Sequence, residues 1–312
     1  MSMQPSSATA SDHKTQILLA FAIVYVVWGS TYLGIRVAVE AIPPALCAGV
    51  RFDIAGTLIL LYALSRGDRL PASRRDWLSI AFTGSMMLIG GNGLVTYSEQ
   101  WVPSNQAALI VATSALWIAW FGTFGASGEK LRPLTIAGLL LGFAGVAVLV
   151  GGGISAHAAP PLAYAALMLA PVTWAIGSVH SRRHPVSNSP LVTAALQMLT
   201  AGIVMTMTGL AIGEQHHVRW EPRSLLALAY LIVFGSCIAY AAYVWLVHEV
   251  TPALLGTYAY VNPAVAVLLG WLMLDETLTQ TQVMGTLVIL FAVVMVTLAS
   301  TRKRAVRSDT DS

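Results

Sequence analysis

Charge is what this chain has least of. Of its 312 residues only 10% are Asp, Glu, Lys or Arg, whereas a soluble domain carries about a quarter. The charges it has are confined to short gaps between long apolar runs, so lipid is the expected solvent for most of the chain. Cysteine is nearly absent. Cys47 and Cys237 both sit inside apolar runs and read as small buried apolar residues, which argues against a disulfide framework or a metal site. No glycine loop followed by a lysine occurs that would cradle ATP phosphates, which argues against an ATP-driven machine in one chain. The histidines (His13, His157, His180, His184, His216, His217 and His248) fall at run ends or in gaps. They form no metal-binding set, and neither a metal nor a cofactor is expected. The net charge of +3 and pI near 9.0 do not point to nucleic acid, because the basic residues lie between apolar runs and suit orientation in a membrane.

What is present is apolar length. Hydrophobic residues make up 56% and mean hydropathy is +0.72. Ten candidate spans follow, roughly 16–37, 43–64, 77–99, 104–125, 134–151, 162–180, 190–212, 224–247, 252–274 and 280–300. In lipid each must be a helix, because an open strand leaves backbone groups unpaired. Pro43-Pro44, Pro103, Pro133, Pro160-Pro161, Pro190 and Pro252 stand where helices start, the place where proline costs nothing. The expectation is an all-α polytopic membrane protein. Residues 1–15, rich in Ser and Ala, do not read as a signal peptide and are expected to form a disordered cytoplasmic tail.

With the N-terminus inside, the inner gaps hold Lys14, Arg66, Arg69, Arg74, Arg75, Lys130, Arg132, Arg182 and Arg183, then Arg302, Lys303, Arg304 and Arg307. Outside remain Arg36, Arg219 and Arg223. That asymmetry orients both termini to the cytoplasm, and the basic tail 301–312 is expected to touch anionic headgroups.

The chain also repeats itself. The run from Val250 to Leu278 has a counterpart from Val102 to Leu131: Val102 matches Val250, Ser114-Ala115 matches Asn262-Pro263, and Glu129 and Leu131 match Glu276 and Leu278. Gly138 then falls on Gly285, Trp28-Gly29-Ser30 echoes Trp174 and Gly177-Ser178, Arg51-Phe52 echoes Gln197-Met198, and Gly84-Ser85 echoes Gly235-Ser236. Each copy holds five spans, an odd number. The second copy (162–300) therefore enters the membrane upside down relative to the first (16–151), and the expected fold is two inverted five-helix repeats.

These residues resemble a known family, the EamA-type drug/metabolite transporters and their YedA-like inner-membrane branch. The resemblance rests on WGSTYLGIR (28–36), AGVRF (48–52), GNGLVTYSE (91–99), VPS (102–104), GSVHSR (177–182) and TYAYVNPAVAVLLG (257–270) followed by Asp-Glu-Thr-Leu. It covers about residues 17–300 and implies export of small metabolites across an inner membrane. One position departs: the family usually has a proline in the fourth helix where this chain has Ala115, which implies a straighter first copy.

A transporter of this kind needs a polar or aromatic cavity near the midplane, and polar groups within spans are its candidates. Trp28 and Tyr32 share one face of the first span with Tyr25 and Arg36; a cavity wall and an interfacial belt are both open for them. Gly29 and Ser30 suit close helix packing. Arg51 is read either as a holder of an anionic substrate group or as half of a structural ion pair. Asp53, two residues on, points elsewhere. Gly90-Gly91-Asn92-Gly93 loosens the third span, and Asn92, Thr96 and Glu99 follow on one stripe. Glu99 is read as a solvated carboxylate at the outer end or as a proton-coupling group. Thr113, Ser114 and Trp117 share a face, as do Tyr258 and Asn262, and Pro263 frees a carbonyl near Tyr258-Ala259. Trp174, Tyr240 and Tyr243 complete an aromatic wall, while His180 is placed at the inner edge. Glu129 and Glu276 are read as helix-exit caps.

The function expected is a secondary transporter of the inner (plasma) membrane, exporting amino acids or amphipathic compounds by alternating access. The alternative is an intramembrane enzyme acting on a lipid or peptide, for which no Ser/His, Asp/Asp or metal cluster is found within the spans. A scaffold or sensor is disfavoured for want of a soluble domain. The partners expected are a small-molecule substrate and membrane lipids, with a monomer or a homodimer both open.

Overall fold

A computed structural model describes residues 7–102, 104–125, 128, 130–151, 159–274 and 279–310. Glu129, Asp275, Glu276 and His157 lie outside them, as do the side chains of the basic tail. Among the described residues the regular elements are all helices, without a strand. The helices are α1 (Ser7–Val39), α2 (Pro44–Ser65), α3 (Arg74–Ser98), α4 (Ser104–Ala112), α5 (Ser114–Phe121), α6 (Pro133–Gly151), α7 (Pro161–Arg183), α8 (Pro190–Ala211), α9 (Pro222–Glu249), α10 (Pro252–Leu255), α11 (Tyr258–Leu274) and α12 (Gln280–Thr310). Six of them, α1, α2, α3, α7, α8 and α9, are long and apolar enough to cross a bilayer. Large apolar side chains such as Leu61, Met207, Leu226 and Phe291 stay exposed on the rim, as a surface solvated by lipid requires.

Local chemistry sets the helix starts. Proline opens α2, α6, α7, α8, α9 and α10, where its missing N–H is not needed. Ser73, Ser189 and Thr251 accept from the backbone N–H of Asp76, Val192 and Leu254. The carboxylate of Glu214 caps α2 from a distant turn, accepting from Leu46 N at 2.8 Å. Two helices outrun their apolar spans: α1 begins at Ser7, inside the segment expected to be disordered, and α12 continues to Thr310 through the basic tail. Ala, Arg and Lys are good helix formers, so these flanks extend the helices beyond the bilayer.

Small residues set the packing. Gly49 lies against Thr206, Gly56 against Leu199 and Gly209 against Leu46, so α2 and α8 run antiparallel with backbones close together. Gly138 meets Val296, Gly145 meets Ile289 and Gly285 meets Leu149, so α6 and α12 are antiparallel too. The same reading makes α3 antiparallel to α7 (Gly90 on Thr173, Gly177 on Met87) and α1 antiparallel to α9 (Gly34 on Leu231, Gly235 on Thr31). In contrast α1 runs parallel to α11, through Tyr25 with Thr257 and Gly29 with Val265.

Two helices are not α-helical throughout. Ser85–Gly93 in α3 and Leu231–Tyr240 in α9 form wide π turns; the first coincides with the loosening expected from its glycines. The segment from Ser104 to Phe121 divides into α4 and α5. The division falls at Thr113, whose hydroxyl bonds the Ile110 carbonyl at 2.7 Å. Pro263 sits inside α11; the division from α10 falls at Gly256-Thr257, where the Thr257 hydroxyl bonds the Leu254 carbonyl at 2.7 Å.

The ends of the rods gather into two poles. At one, Arg183 donates to the carbonyls of Phe121 and Phe124 and Asn188 to that of Arg69. At the other, Arg36 donates to the Glu99 carbonyl and Arg219 to that of Glu40.

Candidate functional site

A half-open cavity lies between α1, α2, α3, α4, α5, α7, α9 and α11, with about 680 Å³ of space including its mouth. Helix α1 contributes Trp28, Thr31, Tyr32 and Ile35, and α2 contributes Arg51 and Phe52. Gly91 and Asn92 come from the wide turn of α3, Gly235 and Tyr240 from that of α9. Ser114 opens α5, Pro171 and Trp174 come from α7, and Tyr258 and Asn262 from α11. Wide turns and in-helix prolines leave carbonyls without their usual partners, and in lipid such groups are tolerated where they line a cavity. The cavity lies in the half of the molecule nearer Arg36 and the start of α2.

Arg51 dominates its chemistry. It is 4% exposed, donates Nε to Ser236 Oγ at 2.8 Å and stacks on Phe52 with 5.1 Å from guanidinium carbon to ring centre. Any side chain at position 235 would strike the guanidinium, so Gly235 makes room for it. Among the described residues no carboxylate lies within ion-pairing distance of Arg51, and the structural ion pair considered for it is not formed. Asp53 points away, as its spacing implied, and accepts from Thr206 Oγ1 at 2.7 Å. A desolvated cation without an internal counter-ion favours an anionic ligand group.

Opposite it stands an aromatic floor. Tyr243, fully buried, is the hub: its ring lies 5.0 Å from Trp28, 5.3 Å from Trp174 and 5.4 Å from Tyr258. Trp174 Nε1 donates to Tyr243 Oη at 3.0 Å, Tyr243 Oη also bonds Ser178 Oγ at 2.8 Å, and Trp28 Nε1 donates to the Gly235 carbonyl at 3.1 Å. Two of these ring pairs are tilted and Tyr243–Tyr258 is edge-to-face; aromatic pairs contribute about 0.5–1.5 kcal/mol each. Below them Tyr25 Oη bonds Thr257 Oγ1 at 2.7 Å. Asn262 is 1% exposed, and its side-chain oxygen has no partner. Gly29 packs onto the Asn262 carbonyl and Val265, the close helix contact expected of it.

Trp28, Tyr32, Arg51, Asn92, Trp174, Tyr240, Tyr258 and Asn262 thus all line one cavity. Two candidates do not. Trp117 stacks with Trp120 and Phe121 at 5.5 and 5.8 Å; one turn beyond Ser114, it has passed the floor. Glu99 is not a solvated carboxylate. It is fully buried, and neither of its side-chain oxygens has a hydrogen-bond partner. The turn after Ser98 tucks it against α1, within electrostatic reach of Arg36 and Tyr32. Sequence reasoning missed Phe52, Thr31 and Pro171. A proline in the middle of an apolar run, like Pro263, is the signal that would have found Pro171. His180 lies towards the arginine-rich pole, bonded to Ser79 Oγ at 3.1 Å and stacked on His184 at 4.2 Å.

Apolar helices of bilayer length around a small cavity with a buried cation and aromatic walls define a membrane protein that handles small solutes. The chain belongs to the EamA-like transporter family, which matches it over residues 15–151 and again over 161–298. It is 41% identical over 281 residues to the uncharacterized inner membrane transporter YedA of Escherichia coli K12, covering 89% of this chain and 90% of that one. It is 23% identical over 276 residues to a probable amino-acid metabolite efflux pump of the same organism, covering 86% and 90%. A solved crystal structure superposes with a TM-score of 0.77 at 24% identity, over 92% of this chain and 98% of that chain. That likeness bears on the fold alone.

Proposed function

We propose that this protein is a secondary transporter of the inner membrane that exports small zwitterionic or amphipathic metabolites, amino acids among them, by alternating access. In this reading the broken pairs α4–α5 and α10–α11 each make one span. The ten resulting spans form two inverted five-helix repeats, 16–151 and 162–300, with both termini in the cytoplasm. The helix directions support it: α2 against α8 and α6 against α12, equivalent helices of the two copies, run antiparallel, and α1 runs parallel to the ninth span. The pole bearing Arg66, Arg69, Arg75, Arg182 and Arg183 is then cytoplasmic.

The observation that carries the function is Arg51, a buried guanidinium without a carboxylate partner on the wall of an aromatic cavity. A substrate carboxylate pairs with Arg51, its amino or polar group meets the free oxygen of Asn262, and its apolar part lies on Trp28, Trp174 and Tyr258. Tyr32, Asn92 and Tyr240 shape the remaining wall. Glu99 is the candidate coupling group, since a carboxyl that dry exchanges charge with its surroundings by taking or losing a proton. The test is uptake of a labelled amino-acid panel into proteoliposomes. Accumulation that is lost in Arg51→Ala supports the reading. Turnover of a lipid or peptide without solute movement would instead establish the enzyme alternative.

A further inference from the structure

A second, smaller polar pocket lies at the arginine-rich pole, on the far side of the aromatic floor. Its inner wall is Thr83, Thr193, Ser181 and Gln197, all buried, and its mouth is His184 and His248, both exposed. One bond links the two linings: Tyr240, which lines the central cavity, donates its hydroxyl to Gln197 Oε1, which lines the pocket, at 2.8 Å.

Gln197 is the residue that echoes Arg51 in the internal repeat. Gly235 packs on Arg51 and its counterpart Gly84 packs on Gln197; Arg51 also donates to Ser236, and Gln197 accepts from Tyr240. Arg51 lines the larger cavity towards the Arg36 pole, and Gln197 lines the smaller pocket at the opposite pole. An in-plane twofold exchanges outer and inner halves, so the pocket stands where the image of the cavity belongs. The bond is also flanked by the two wide turns. Gly84, packed directly on the Gln197 backbone, precedes the π segment that begins at Ser85, and Tyr240 is the last residue of the other. Helices change register at such turns more readily than in regular stretches.

We propose that the pocket under Gln197 is the closed cytoplasmic half of the transport route and that the Tyr240–Gln197 hydrogen bond is its gate. The inference rests on the transporter reading and its orientation. α3 and α9 shift at their wide turns, the bond parts, and a solute bound by Arg51 and Asn262 leaves past Thr83 and Thr193 between His184 and His248.

The test uses full-length protein with Cys47 and Cys237 replaced by Ala, carrying a single reporter, Thr193→Cys or Ser114→Cys. A membrane-impermeant maleimide is applied to right-side-out and inside-out vesicles. Thr193→Cys is expected to react from the cytoplasmic face only. Adding Tyr240→Phe, which deletes the donor and keeps the ring, is expected to raise cytoplasmic-side labelling of Ser114→Cys on the order of fivefold, the population shift that one net hydrogen bond supports. Gln197→Leu is expected to do the same, and an unchanged size-exclusion profile reports an intact fold in both. Cytoplasmic-side labelling of Ser114→Cys that stays at its starting level in both variants overturns the gate while leaving transport and orientation standing. Labelling of Thr193→Cys from the outer face overturns the orientation itself.

Discussion

Arg51 and Asn262 are costly to bury: Ser236 and Phe52 contact the Arg51 guanidinium but supply no counter-charge, and Asn262 Oδ1 has no partner, which is why the ligand is assigned to them. A hydrogen bond to a charged group contributes about 1.5–3 kcal/mol, so Arg51→Ala is expected to weaken binding of a carboxylate-bearing substrate by about 10–100-fold. Quenching of the Trp28 and Trp174 fluorescence on titration measures this, and unchanged affinity would remove Arg51 from the site. Glu99→Gln keeps the side chain's shape and removes its ionisable oxygen. It is expected to retain solute exchange between two pools while losing accumulation driven by a pH gradient. Parallel loss of both would make Glu99 structural instead.

For the helices, the decisive contacts are backbone against backbone. A Cβ at Gly29 would come within 2.8 Å of Val265, so Gly29→Val forces α1 from α11 and is expected to cost about 1–3 kcal/mol. A lower melting temperature in detergent is the readout. Ala115 makes the opposite case. It lies in the first turn of α5, just after the interruption at Thr113, where a backbone N–H has no helical partner to lose. Ala115→Pro, which restores the residue usual in the family, is therefore expected to fold with a melting temperature within a few degrees of the parent. In a continuous helix interior the same change costs about 3 kcal/mol or more. Severe destabilisation would show that the helix runs unbroken through Thr113.

Across the whole molecule, the claim is topological. If ten spans thread the membrane alternately, Arg75→Cys at the start of α3 and Arg132→Cys before α6 both face the cytoplasm. Each is expected to be labelled by an impermeant thiol reagent in inside-out vesicles and protected in right-side-out ones. Labelling on opposite faces would dismantle the inverted repeat, and with it the equivalence of Arg51 and Gln197.

Much of this molecule was legible in the sequence, for a reason specific to lipid. Where water is absent every backbone group must be satisfied within its own segment, so the apolar runs alone placed the helices. The prolines placed most of their starts to within a residue or two. The same expense marked Trp28, Arg51, Asn92 and Asn262 as cavity candidates, since a polar or aromatic group in mid-span needs a reason to be there. Tertiary structure decided the rest. Position along a helix does not say which neighbour a side chain meets, so the sequence could not tell that Trp117 packs on its own helix or that Glu99 is sealed in near Arg36 with its side-chain oxygens unbonded. Nor could it foresee that the chain divides at Thr113 and at Gly256-Thr257 and not at Pro263. Local hydropathy sets where the chain crosses, whereas the close approach of glycine-lined backbones sets what faces what.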